Sequence, residues 1–201
     1  MKRLWTAVVV TLCLAATGHA QSLSNADREK AIKYLEETKQ GVLKATEGLS
    51  EAQWNFKSGP DRWSIAEVAE HIAAAEDYIR GMVTEQVMKA PPRTEADDVK
   101  AIDDLVLAAI PDRTNKRQAP EPLKPTNRFG SPAGSLKHFT ESRAQTLQFL
   151  QTHDDLRAHA ADSPLGKKMD AYEWVLFIAA HSERHTKQIN EVKADPNFPR
   201  T

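Results

Sequence analysis

The chain has 201 residues, one cysteine, and 27 Lys and Arg against 28 Asp and Glu, for a net charge of −1. That length suits one ordinary domain with a substantial core. The balanced charge excludes the strongly basic footprint of a nucleic-acid binder and leaves a small-molecule substrate or ligand as the expected partner.

The first segment has the layout of a secretory signal peptide. Lys2 and Arg3 precede an apolar run from Leu4 to Ala16, and Gly18-His19-Ala20 stands before Gln21, so cleavage is expected after Ala20, with a periplasmic or secreted product. The run is short for a membrane span and no later stretch approaches the required length, so no membrane attachment is expected once the signal is gone. Leu12 before Cys13, where a small residue is wanted, argues against a lipoprotein. Removing 20 residues from 201 leaves a single domain of 181, residues 21–201. Its 25 basic and 28 acidic side chains give a net charge of −3. Cys13 leaves with the signal, so disulfides, thiolate catalysis and cysteine zinc sites are excluded and only nitrogen and oxygen ligands remain. A homodimer is compatible with this composition.

A first amphipathic helix is expected from about Asn25 to Gly48, with Ile32, Leu35, Val42 and Leu43 on one side. Leu49 to Pro60 mixes turn residues with Trp54 and Phe56 and reads as a connection packing down on the helices. Ser64-Ile65-Ala66-Glu67 forms a capping box opening a second helix, with Ile65, Val68, Ile72, Ala75, Ile79 and Met82 in register, ending before Pro91 and Pro92. A long crossover follows, with a short helix from about Glu95 to Ala109 and then Pro111, Pro120, Pro122 and Pro125. A crossover of that size lets helices two and three run parallel. Ser131 and Pro132 cap the third helix, whose face carries Leu136, Phe139, Leu147 and Leu150. Asp170 to Glu173 caps the fourth, which stops near Ala194. No alternating run argues for strands, so the expected architecture is all-α, a four-helix bundle.

The fourth helix carries the chemistry. Trp174, Phe177, Ile178, Ile189 and Val192 fall on one face, and at ~100° per residue His181 and His185 lie within ~20° of its centre. Imidazoles at i and i+4 stack one turn apart and can share an ion if a third ligand arrives from another element. His71, one turn after Glu67, flanks the second helix's stripe by ~80° and points toward a helix seam. Three imidazoles plus water would make an open, catalytic type of centre; the competing reading is core histidines bonded to carbonyls or hydroxyls. His138, His153 and His159 fall off the third helix's apolar side and are expected in solvent. Glu183 lies ~200° round from His181, which excludes a zinc-protease motif with Glu183 as base. Glu67 is the nearest alternative base, against a role as capping carboxylate only. Arg143 sits within the third stripe, where it either snorkels outward or presents its guanidinium to a carboxylate or an anionic ligand.

The segments Leu49-Ser50 through Trp54, Trp63 to Ile72, His181 to Ile189 and Asp195 to Pro199 together resemble the DinB-like metalloenzymes over essentially the whole mature chain. The resemblance implies an up-down-down-up four-helix bundle with a divalent metal held by one His of helix two and two of helix four, which map onto His71, His181 and His185. It implies a metal-dependent hydrolase or group transferase acting on a small molecule, or alternatively a non-catalytic metal- or ligand-binding bundle. Characterised relatives of this kind include transferases and isomerases that use low-molecular-weight thiols, a chemistry that export to an oxidising compartment argues against. Three imidazoles suit several ions: zinc or nickel is favoured, with iron, manganese or copper as alternatives.

Overall fold

The computed structural model describes residues 22–93 and 98–200; the expected signal peptide lies outside them. Six α-helices are present, α1 Asn25–Thr46, α2 Glu51–Asn55, α3 Ile65–Glu85, α4 Val99–Ala109, α5 Pro132–Thr152 and α6 Ala171–Lys193. A small antiparallel hairpin, β1 Ala160–Asp162 with β2 Lys168–Asp170, leads into α6.

Local chemistry sets the helix starts. Ser64 accepts a bond from the Glu67 amide while Glu67 answers the Ser64 amide, and Asp170 with Glu173 does the same for α6, each pair satisfying two end donors that would otherwise face nothing. Ser131 caps α5 with Pro132 in its first turn. Two features went unread in the sequence. Leu49 to Pro60 contains α2, closed by a Ser50–Gln53 capping box, and the hairpin's three-residue strands are too short to show alternation, although Gly166 supplies the positive φ of 69° that its turn needs. The crossover helix begins at Val99, capped by Asp98; the expected start at Glu95 lies outside the described residues.

Four long helices form the bundle. α1 lies beside α5 and α6, and α3 completes the ring between α5 and α6. The Tyr172 hydroxyl donates to the Asp27 carbonyl and Lys193 to the Ala45 carbonyl, so α1 and α6 run together. Arg143 of α5 meets Leu35 of α1 and Glu76 of α3 near their middles, while Arg28 at the start of α1 reaches the carbonyl of Leu150 late in α5. The order is up-down-down-up. Parallel α3 and α5 require the long connection between them, and α4 within it packs against α6. Among the described residues no helix is long and apolar enough to cross a membrane.

The crossover is tied to α3 by one carboxylate. Glu70 accepts the amides of Thr126, Asn127 and Arg128 at 2.7, 2.8 and 3.1 Å. Burial alone would raise its pKa, but those three donors and the Arg128 side chain hold it below the usual range. The residue after Glu70 is His71.

Candidate metal centre

α3 and α6 are antiparallel neighbours, and where their middles meet, the imidazoles of His71, His181 and His185 converge. His71 Nε2 is 3.2 Å from His181 Nε2, and His185 Nε2 is 3.1 Å from the same atom. One nitrogen from each ring lies within 4.8 Å of the others. Ligands about 2.05 Å from a tetrahedral ion sit roughly 3.3 Å apart, and right-angle coordination shortens that to about 2.9 Å. The two separations from His181 Nε2 fall between these values.

The outer nitrogens decide what the inner ones can do. His71 Nδ1 is 2.8 Å from the Leu123 carbonyl, which only accepts, so the proton is on Nδ1 and the Nε2 lone pair faces inward. His185 Nδ1 lies 2.8 Å from Gln188 Oε1, which also accepts from Arg113 Nη1 at 3.3 Å; since Arg113 can only donate, that atom is an acceptor and His185 carries its proton outward too. Two lone pairs therefore converge on His181 Nε2, which has at most one proton to offer. Core histidines satisfied by hydrogen bonds would not be arranged this way, whereas a divalent cation uses all three lone pairs. Carbonyl and amide oxygens on the far ring nitrogens are the usual means of orienting metal-binding imidazoles.

Burial disfavours the imidazolium of all three. It lowers the pKa of His71 despite the opposing Leu123 bond, and it depresses His181 and His185 well below 6.5, with the neighbouring imidazoles adding to the effect. Neutral imidazoles are the form that binds metal. The sign of the linkage follows. In metal-free protein the unfolded chain takes up protons below pH 6.5 more readily than the folded histidines do, so stability falls as pH drops below that value. Denaturant midpoints in chelator at pH 7.5 and 5.5 will show this loss, and His185→Ala will reduce it. Comparing the two proteins isolates the histidines from Glu173, whose carboxyl burial and Asp170 push up to about 8 and which titrates in the opposite sense. Equal slopes in both would mean that His185 charges in the folded state.

The cluster opens on a cavity of about 910 Å³ between α3, α6 and the crossover. Trp174, Phe177, Ile79 and Met82 form an apolar wall, and Trp63 lies on the other side with its ring centroid 4.9 Å from that of His71. A space of this size accepts a small-molecule ligand.

The remaining candidates fall elsewhere. Glu67 lies at the cavity's edge, but one oxygen accepts the Ser64 amide and the other pairs with Lys57, both at 2.7 Å, which is the capping role. Arg143 is fully buried and away from the cavity, its guanidinium forked onto Glu76 at 2.7 and 2.8 Å; the carboxylate alternative holds, and neither snorkelling nor an anionic ligand does. Glu183 points toward α1, where it accepts from the Tyr34 hydroxyl at 2.6 Å and pairs with Lys187. His138, His153 and His159 are half-buried rather than in solvent. His138 pairs with Asp77, while His153 and His159 donate to the Phe149 and Ala90 carbonyls, because neighbouring elements cover the flank that the stripe alone leaves bare.

Gln188, Arg113 and Leu123 were not anticipated. Gln188 sits one turn after His185, a spacing that could have flagged it. Arg113 is steered by Glu191 through a two-pronged pair at 2.6 and 2.7 Å, and nothing local in the sequence links these three residues.

The protein YuaE of Bacillus subtilis, itself uncharacterised, is 29% identical over 147 residues, covering 73% of this chain and 86% of that protein. YfiT of Bacillus subtilis, described as a probable metal-dependent hydrolase with an unusual four-helix bundle topology, superposes with a TM-score of 0.56 at 19% identity, over 89% of this chain and 93% of that one. Residues 34–189, from α1 to the last turns of α6 and including all three histidines, match the DinB superfamily, and the chain belongs to that superfamily.

Proposed function

We propose that the protein is an exported metal-dependent hydrolase or group transferase acting on a small molecule, with a divalent metal, zinc or nickel, held by His71, His181 and His185. The observation that carries this reading is the convergence of the three Nε2 atoms with two of the rings locked, by Leu123 and Gln188, to present lone pairs inward. The description of YfiT as a probable metal-dependent hydrolase supports the reaction class, and the Lys2 to Ala20 segment supports export.

When bound, the ion would supply Lewis acidity to a substrate oxygen or to water. The chain supplies the rest. Leu123 and Gln188 keep the imidazoles in the binding tautomer, the Trp174–Phe177 wall excludes water from one side of the substrate, and burial keeps the histidines unprotonated at neutral pH. No carboxylate joins the three histidines as a metal-ligand candidate among the described residues, and Glu67 is engaged by the Ser64 amide and by Lys57.

One preparation tests the reading. The full chain, expressed without a tag and recovered from the exported fraction, should begin at Gln21 by intact mass and carry close to one equivalent of metal by elemental analysis. Reloaded with zinc or nickel, it should turn over at least one member of a panel of esters, amides, lactones and phosphoesters, with the activity lost in His181→Ala. Metal without turnover across the panel would assign a binding protein instead. No metal would overturn the centre.

A further inference from the structure

The mouth of the cavity is more positive than the chain that forms it. Six cationic side chains line it against four carboxylates, although the whole chain carries a net charge of −1. Glu67 is paired with Lys57 and Glu191 with Arg113, and Lys124 is paired with Glu121, which leaves four of the six cations and two of the four carboxylates outside these pairs. Arg62, Lys116 and Arg117 are exposed at this mouth and have no ion-pair partner among the described residues.

Arg184 makes the imbalance structural. It is buried, 7% exposed, and its bonds go to backbone carbonyls, those of Asp112 and of Asn115 at 2.8 Å, so no carboxylate pairs with its charge. Those carbonyls belong to the segment that continues into Lys116 and Arg117, and Arg184 thereby pins that segment over the cavity. Burial lowers its pKa, the nearby Arg113 and Arg117 guanidiniums add to that, and Asp112 and Glu191 oppose it. Gathering cations beside a low-dielectric wall costs free energy unless an anion joins them, and the same arrangement draws anions in. Trp174 and Phe177 stand on the apolar wall of the same cavity.

We propose that the substrate is a small anion whose carboxylate or phosphate group is held by Lys116 and Arg117, on the segment clamped by Arg184, while its apolar body lies on Trp174 and Phe177 and its reacting group reaches the histidines. This rests on the cavity being the functional site, as proposed above. Guanidinium and ammonium groups recognise both kinds of anion, Arg by a two-pronged fork and Lys as a point charge.

The test uses the full chain as purified and a chelator-treated portion of it, titrated with inorganic phosphate, with glutarate and with the uncharged 1,5-pentanediol. Binding is followed by tryptophan fluorescence, since Trp63 and Trp174 both line the cavity, and by melting temperature. Saturable binding of at least one anion and none of the diol is expected in both portions, and the anion that binds names the group. Lys116→Ala/Arg117→Ala should weaken it by roughly tenfold or more, with an unchanged circular dichroism spectrum. Lys137→Ala, on the exposed face of α5, should leave binding unaltered. No saturable anion binding, equal binding in the double variant, or equal binding of the diol would each overturn the proposal. Metal content of the same samples separates the two readings: metal retained without anion binding removes this inference and leaves the metal centre standing, whereas anion binding by protein that retains no metal does the reverse.

Discussion

His181→Ala is expected to abolish metal retention while the helices persist. His181 Nε2 is the atom nearest both other ring nitrogens, so its loss leaves two imidazoles on different helices and no third nitrogen ligand. The fold should tolerate the change, because the ring stands at the cavity wall, part-exposed, and alanine enlarges an existing space instead of hollowing the core. An ion present at 1,000 times its dissociation constant stabilises the folded chain by about 4 kcal/mol, which for a domain of this size is roughly 10 °C in melting temperature. Chelator should therefore lower the wild-type Tm by about that amount and leave the variant unmoved. His71→Ala and His185→Ala should behave alike, while His153→Ala, whose ring is occupied by the Phe149 carbonyl, should retain the wild-type response. Equal metal content in His181→Ala and wild type would end the three-histidine reading.

The largest loss of stability is expected at Arg143, far from any ligand. Its guanidinium, buried to 0% exposure, forks onto Glu76 of α3, donates to the Leu35 carbonyl and Thr38 hydroxyl of α1, and reaches Ser182 of α6 at 2.9 Å. Thr146 adds a second α5 donor to Glu76 at 2.9 Å. One side chain thus ties all four bundle helices. Arg143→Met preserves much of the volume but leaves the buried Glu76 carboxylate without its cation and takes one donor from each of three further groups, at a cost of about 3–5 kcal/mol, a large fraction of the stability of an ordinary domain. Urea denaturation reads this directly. Adding Glu76→Gln should restore part of the loss, because the carboxylate is then neutral; a double variant no more stable than Arg143→Met would place the stabilisation in shape and not in the charge pair. Arg143→Lys should be nearly as damaging as Met, since an ammonium cannot reproduce the fork.

Elements governed by neighbours in sequence were the legible ones. The Ser64–Glu67 and Asp170–Glu173 boxes, Ser131 before Pro132, and the 3.6-residue stripes of α3, α5 and α6 are local patterns, and the four long helices follow from them. His71, His181 and His185 stood out because an imidazole interrupting or flanking an apolar stripe is visible without a partner. The up-down-down-up order came from the length of the crossover and from the family resemblance. What escaped depends on partners brought close only by folding: Leu123 beside His71 across 52 positions, Glu76 beneath Arg143 across 67, and Arg113 on Gln188 across 75. Arg143 shows the limit well. Its place in an apolar stripe marked it as unusual, but the choice between solvent, ligand and carboxylate needed to know what faced it.

The distribution of the three histidines along the chain carries a consequence for the order of assembly. His71 and His181 are separated by 110 positions, and α6, which bears two of the three candidate ligands, is the last helix among the described residues. A chain still lacking α6 contains the segments of α1, α3 and the crossover yet holds only one imidazole of the set. Closing so long a loop is entropically costly and is recovered only when α6 docks between α1 and α3. Capture of an ion there would thus be a signal of completion: it would report that the C-terminal helix has found its groove, and stopped-flow metal uptake should run no faster than the final docking step of refolding.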